Sequence, residues 1–389
     1  MPDGTSDAVT RSIRSRRVLV GSVMVVVVLS VVVATTGGSS TATQARRENP
    51  SGSNCASVSG RPATIGNRQP GACVGRGVGL VSDPTGSGTV PGPSGPSPNL
   101  LQIATRHWYQ ANQAGIGVRV GRLPWGVAFD GTDIWVTNSG SDTVTRLVAS
   151  TGSVVGTYRV GKHPEGVAFD GSSVWVVDNG GNQVTRLRAS NGRVVGTFGV
   201  GISPVGVAFD GSDIWVANQG SGTITRLAAS NGHLVATYHV GTDPENLVYD
   251  GSALWVTNPR SDDVIKVDGS TGAVIGSYGV GNSPFGVAFD GTDIWVTNAD
   301  VTSDSVTRLS ASTGAVVGTY PVGTNPLGVA FDGSSIWVAN GGTDTVTKLN
   351  AATGNLIGTY TLPAGEPVNL AFDGIDIWVA DGADLVAKR

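Results

Sequence analysis

From about residue 121 the chain alternates short apolar runs with polar, glycine-rich breaks, and the alternation itself repeats. The stretch PWGVAFDGTDIWVTNSGSDTVTRLVASTGSVVGTYRVG begins at Pro124. It returns as PEGVAFDGSSVWVVDNGGNQVTRLRASNGRVVGTFGVG at Pro164, and again from Pro204, Pro244, Pro284, Pro326 and Pro367. Trp135, Trp175, Trp215, Trp255, Trp295, Trp337 and Trp378 mark a register of 40 to 42 residues. Each repeat holds four apolar runs. GVAF leads into Asp-Gly, a strong hairpin signal; IWVTN ends on Asn; TVTRL leads into a Ser/Thr/Asn-Gly turn; VVGTY runs to Gly. The runs have strand length and strand residues, with Val, Thr, Ile, Trp and Tyr prominent, and no segment after residue 121 has helical periodicity. Four short strands in about 40 residues is the arithmetic of one propeller blade. The pattern therefore predicts an all-β, seven-bladed β-propeller.

The last repeat stops at IWVADGADLVAKR, one strand short. Residues 104–121 align without gaps to 144–161, which carry the third and fourth runs of the first full repeat. A strand around Gly115–Val120 is thus expected to complete the last blade and remove the open edge of the ring. The motif P-x-G-V-A-F-D-G-x-x-I-W-V-T-N resembles the YVTN β-propeller repeat and is similar to the NHL repeat, over about residues 115–389. That resemblance implies the propeller fold and a range of roles, among them exported surface proteins, scaffolds and a minority of enzymes. The streptogramin lyases are similar in blade number. Their acid/base work depends on a Glu-x-His pair, and no Glu-x-His occurs in this sequence, so the resemblance does not carry the lyase reaction over.

Composition changes the picture ahead of the repeats. The 389 residues include 58 Gly and 19 Pro, about a fifth of the chain against an ordinary share near 12%. Part of this excess lies in residues 35–99, a Gly/Ser/Pro-rich stretch that reads as a disordered linker and extended spacer. Residues 1–17 are basic, with Arg11, Arg14, Arg16 and Arg17. Residues 18–34 are uncharged and Val-rich, and predict one N-terminal hydrophobic helix, either a transmembrane anchor or a signal peptide. The preceding arginines place the N-terminus in the cytoplasm, so the linker and the repeats are expected outside it. Cys55 and Cys73, the only cysteines, lie in the linker; in an exported chain they are expected to pair as a local disulfide. The expected organisation is 1–17, 18–34, 35–99 and a propeller over 100–389.

Charge narrows the partners. Residues 100–389 carry 16 Lys+Arg against 25 Asp+Glu. An acidic ring with dispersed arginines lacks the basic stripe that phosphate binding requires, which argues against nucleic acid. Most of its polar residues recur and read as structural: the Asp of each Asp-Gly turn, the Asn or Asp closing the second run, the Arg or Lys of the third. The unrepeated ones are more informative. The propeller has three Glu, namely Glu165, Glu245 and Glu366, and all fall between a fourth run and the next first run, as does His163. That connection is expected at the channel mouth. A candidate ligand site there has Glu165, Asp243, Glu245 and Glu366 as carboxylates, His163 as general base or metal ligand, and Trp125 and Phe285 as apolar walls. A divalent cation is the one cofactor such a set suggests. No catalytic residue is assigned. The expected function is an exported binding module, membrane-anchored or secreted, taking a protein or glycan at the cell surface through a monomeric ring. The alternative is a lyase- or hydrolase-like enzyme with a metal-assisted site at the same mouth.

Overall fold

Each repeat folds back on itself because the turn between its first two strands is locked by its own aspartate. Gly131 adopts φ 94°, open to glycine and strained for other residues. Asp130 Oδ1 accepts from the backbone N–H groups of Thr132 and Asp133, and Oδ2 accepts from Trp135 Nε1 at 2.8 Å. The same indole bond recurs in the other six blades at 2.7–2.8 Å. The aspartate is thus a turn former and also the group that satisfies a buried Trp N–H. These indoles are the core: six are fully buried and Trp337 is 8% exposed. Burying one removes about 150–250 Å² from water, roughly 4–6 kcal/mol before entropy.

The computed structural model describes residues 116–362 and 365–389. The basic segment, the hydrophobic helix, the linker and the Cys55–Cys73 pair expected from the sequence lie outside the described residues. Among the described residues no helix is long and apolar enough to cross a membrane. Seven four-stranded antiparallel sheets are present, so the fold is a seven-bladed β-propeller. Blade one runs from its innermost strand Pro124–Phe129 through Asp133–Asn138 and Thr143–Val148 to Val154–Arg159 at the outside. Blade seven is made of Pro367–Phe372, Ile377–Asp381 and Leu385–Lys388, with Ile116–Arg119 as its fourth strand. The register pairs Gly117 with Ala387 and Val118 with Val386, which is the closure expected from the alignment of residues 104–121.

Neighbouring blades interlock through two devices. The fourth-strand aromatic packs against its own blade's Trp, as Tyr158 does on Trp135 with ring centroids 5.7 Å apart, and lies against a turn glycine of the next blade. A Cβ on Gly192 would sit 2.1 Å from the Tyr158 ring, so that position needs glycine for space as well as for its φ of 68°. The third-strand cation is the second device. Arg146 lies over the Trp135 ring at 5.4 Å, donates from Nε to Asp133 Oδ2, and donates from Nη1 to the Ser190 carbonyl of the next blade. Lys388 reaches the Ala149 carbonyl in the same way, tying blade seven to blade one. The sequence alone suggests a solvated or ion-paired edge for this residue; it is ion-paired, and it also bridges blades.

Candidate functional site

The connections between fourth and first strands share a face with those between second and third strands. Ser139 and Gly140 donate to the carbonyls of Leu123 and Arg122. Asn138, which closes the second strand, joins the same layer: its Oδ1 accepts from Gly121 N–H and its Nδ2 donates to Thr143 and Thr145. In blade two the equivalent residue is Asp178. Burial pushes its carboxyl up to about 6, against hydrogen bonds from Thr185, Gln183 and Gly161.

On this face the chain holds five side chains in an unusual backbone state. Leu123, His163, Ser203, Ser283 and Asn325 have φ between 47° and 51°. A non-glycine residue there is disfavoured by about 1–2 kcal/mol. Each is held by a side chain from the preceding blade. The N–H of Leu123 donates to Asp384, His163 to Asp142, Ser203 to Asn182, Ser283 to Asp262 and Asn325 to Asp304, at 2.8–3.0 Å. The acceptors have positive φ as well. Sequence reasoning missed this ring of clamps. The signal was present as the Asp or Asn that opens the third run, with one exception, Gly222. At that exception Asp243 is free of the clamp and pairs instead with Arg260 at 3.3 Å.

Closer to the axis the innermost strands come into backbone contact. A Cβ on Gly126 would lie 2.5 Å from the Glu165 carbonyl oxygen, and one on Gly286 would lie 2.4 Å from that of Leu327. The residue before each such glycine therefore sits where the blades converge. Around the ring these residues are Trp125, Glu165, Val205, Glu245, Phe285, Leu327 and Val368. Trp125, Glu165 and Phe285 thus belong to the innermost strands rather than to loops, as the second residue of Pro124–Phe129, Pro164–Phe169 and Pro284–Phe289. Glu245 precedes a shortened strand, Leu247–Tyr249. Glu165 is 0% and Glu245 4% exposed. Burial, and then the charge of Glu245, raise the Glu165 carboxyl well above the usual carboxylate range. Burial, and then Asp243, push Glu245 up to about 8. Gln219 Nε2 lies 3.5 Å from Glu245 Oε1. Neither carboxylate oxygen of Glu165 has a hydrogen-bond partner, and Trp125 Nε1 has none.

The sequence-derived site thus divides. Trp125, Glu165, Glu245 and Phe285 share one column where the innermost strands converge, with Glu245 in electrostatic reach of Glu165 and Asp243 in reach of Glu245. His163 is exposed on the rim although only Pro164 separates it from the wholly buried Glu165. Glu366 is exposed beside blade seven, its carbonyl accepting from Gly382. Among the described residues no three His, Cys, Asp or Glu side chains form a metal-ligating group. A groove of about 230 Å³ lies at the outer strands of blade three, lined by Val200, Ser221, Thr223, Leu234 and Thr237 and by no titratable side chain.

No family model matches the chain, and no curated protein matches it. Solved structures do. A catalytically inactive virginiamycin B lyase from Staphylococcus aureus with quinupristin superposes with a TM-score of 0.62 at 19% identity, over 70% of this chain and 98% of that one. Kuenenia stuttgartiensis hydrazine synthase gives 0.62 at 20%, over 70% and 97%. A streptogramin B lyase gives 0.61 at 19%, over 71% and 96%. At such identities these likenesses show the fold, and neighbours with different names share it.

Proposed function

We propose that the chain is an exported binding module, held at the membrane or released according to the fate of residues 18–34, whose clamped face engages a protein or glycan at the cell surface. The observation that carries this reading is the ring of left-handed residues, each fixed by a side chain of the preceding blade. Strained backbone retained by surrounding structure marks functional surfaces. Loops ordered before binding lose little entropy on binding. The displayed side chains differ from blade to blade, as recognition requires, and the face exposes Leu123, Ile202 and Val301 at 53%, 59% and 76%. A second reading, a lyase- or hydrolase-like enzyme, draws support from the raised carboxyls of Glu165 and Glu245. Against it, the exposed His163 and the buried Glu165 do not form an acid–base pair.

The test uses the labelled full chain, with isolated cell-surface protein and glycan fractions as probes. A Leu123→Glu, Ile202→Glu, Val301→Glu variant is expected to lose at least tenfold in affinity for the retained fraction, while Val154→Glu, Leu234→Glu on the outer strands binds like the parent. Equal behaviour of the two variants refutes the reading, and turnover of a retained component favours the enzyme.

A further inference from the structure

The axis presents a demand that the chain does not itself meet. Glu165 is wholly buried, and neither of its oxygens accepts a hydrogen bond. Glu245 is nearly as buried, and its Oε1 has Gln219 Nε2 at 3.5 Å, the limit of a hydrogen bond. Among the described residues no Lys or Arg forms an ion pair with either; the nearest acidic neighbour, Asp243, has taken Arg260. Two aromatic side chains, Trp125 and Phe285, occupy the same ring of positions and are only half-buried. Burying an ionised carboxylate without partners is strongly unfavourable, so burial keeps both acids protonated above the usual carboxylate range, and a partner that supplies charge and donors can take the protons' place.

We infer that this axial ring is a subsite for one cationic group, the ammonium or guanidinium of a basic side chain that the partner protein inserts along the axis. The inference rests on the proposed binding role of this face and narrows its partner to a protein. A cation answers the unmet carboxyl oxygens together, and leaves the Trp125 Nε1–H, itself a donor, without an acceptor. Its N–H groups donate to the Glu165 and Glu245 oxygens, as three do in an ammonium and five in a guanidinium. Its charge replaces the protons that the two acids give up as they ionise around it, and aromatic faces such as those of Trp125 and Phe285 attract a cation further. An anion offers the carboxyl oxygens no donor. A neutral hydroxyl supplies one donor and no charge. A divalent metal needs more ligands than two carboxylates, and no third ligand of the kind stands with them among the described residues.

The experiment titrates the full chain with n-butylammonium, n-butylguanidinium and the neutral isostere n-butanol, and follows the Trp125 indole N–H resonance. Either cation is expected to bind at least tenfold more tightly than n-butanol. Glu165→Gln and Glu245→Gln are each expected to remove that preference; both are isosteric and cannot ionise, and a thermal transition no lower than the parent's confirms their fold. A tripeptide, acetyl-Gly-Lys-Gly-amide, is expected to bind at least as tightly as n-butylammonium. Equal affinity for cation and alcohol overturns the inference, as does a preference that survives both Gln variants. Exclusion of the tripeptide assigns a free amine instead and overturns the side-chain source. The Leu123→Glu, Ile202→Glu, Val301→Glu variant separates the two levels: it is expected to keep the n-butylammonium preference while losing the partner. If it loses the partner but the cation preference was never there, the subsite alone falls.

Discussion

Asp142 offers a way to measure the clamp that orders the connections between fourth and first strands. Its Oδ1 accepts from the N–H of His163 at 3.0 Å, while its own φ is 54°. Two contributions are therefore separable by substitution. Asp142→Ala removes the acceptor, worth about 1 kcal/mol on a solvent-accessible face, and places a Cβ-bearing residue in the left-handed region without local side-chain support, about 1 kcal/mol more. The expected loss is about 2 kcal/mol. Asp142→Gly removes the acceptor but relieves the φ, so it loses about 1 kcal/mol. Asp142→Asn keeps both, and the chain already contains that solution: Asn182 has φ 51° and its Oδ1 accepts from Ser203 at 2.9 Å. Urea denaturation of the full chain should rank stability Asn, then Gly, then Ala. Amide hydrogen exchange at His163 should be slow in the parent and in Asp142→Asn, and fast in the other two. Ala equal to Asn, or Gly less stable than Ala, refutes the reasoning.

Two further outcomes come from the same geometry. Gly192→Ala meets both a φ of 68° and a ring carbon 2.1 Å from the new Cβ, so it is expected to lose about 2–4 kcal/mol by thermal or urea unfolding. Gly171→Ala, at φ 93° with open space around it, should lose only about 1 kcal/mol, and equal losses would remove the steric role of Tyr158. Glu245 has its carboxyl raised from 4.5 to about 8 by burial. The folded state therefore keeps a proton that the unfolded state has given up, so the group's stabilisation is complete below pH 4.5 and is lost as pH rises towards 8. Between about pH 4 and 7 the parent should lose about 3 kcal/mol relative to Glu245→Gln, read from the difference in urea midpoints, and parallel pH profiles would sink the assignment.

The range of each interaction decides whether the sequence discloses it. The blade period was readable because Asp-Gly turns and strand runs are local, and the Trp register made them countable. The second role of Asp130, as acceptor for Trp135 Nε1, needed the two strands to be folded back first. Closure by Ile116–Arg119 was readable from the missing fourth run. The burial of Glu165 was not inferred, yet its column held the signal: Trp125, Val205, Phe285, Leu327 and Val368 are apolar, and only Glu165 and Glu245 break the pattern. His163 belongs to a different column, with Leu123, Ser203, Ser283 and Asn325, which is mostly polar and faces solvent. Reading the connecting segment as one loop merged two columns that the backbone sends in opposite directions.

The departures from the repeat are concentrated in one sector, and this bears on where a partner enters. At the start of blade four the clamp is absent, since Gly222 replaces the Asp or Asn of the other blades. The innermost strand shortens to Leu247–Tyr249. Asn246 occupies the column where five blades place glycine. In those blades the glycine admits a close backbone approach, 2.6 Å from the Glu245 carbonyl oxygen for a Cβ on Gly206. Asn246 replaces the approach with a side-chain hydrogen bond, its Nδ2 donating to the Phe285 carbonyl at 2.9 Å. Blade seven has the other asparagine of this column, Asn369, but there the innermost strand keeps its full length, Pro367–Phe372. Only blade four combines a missing clamp, a shortened strand and a substituted glycine, and it does so between Glu245 and Phe285, two members of the axial ring. A sevenfold ring tightens every sector by the same contacts, and this sector lacks the clamp and part of the strand and exchanges the close approach for the Asn246–Phe285 hydrogen bond, so it is the one expected to yield at the least free-energy cost. That places the yielding sector beside the carboxylate pair, where an inserted side chain needs room.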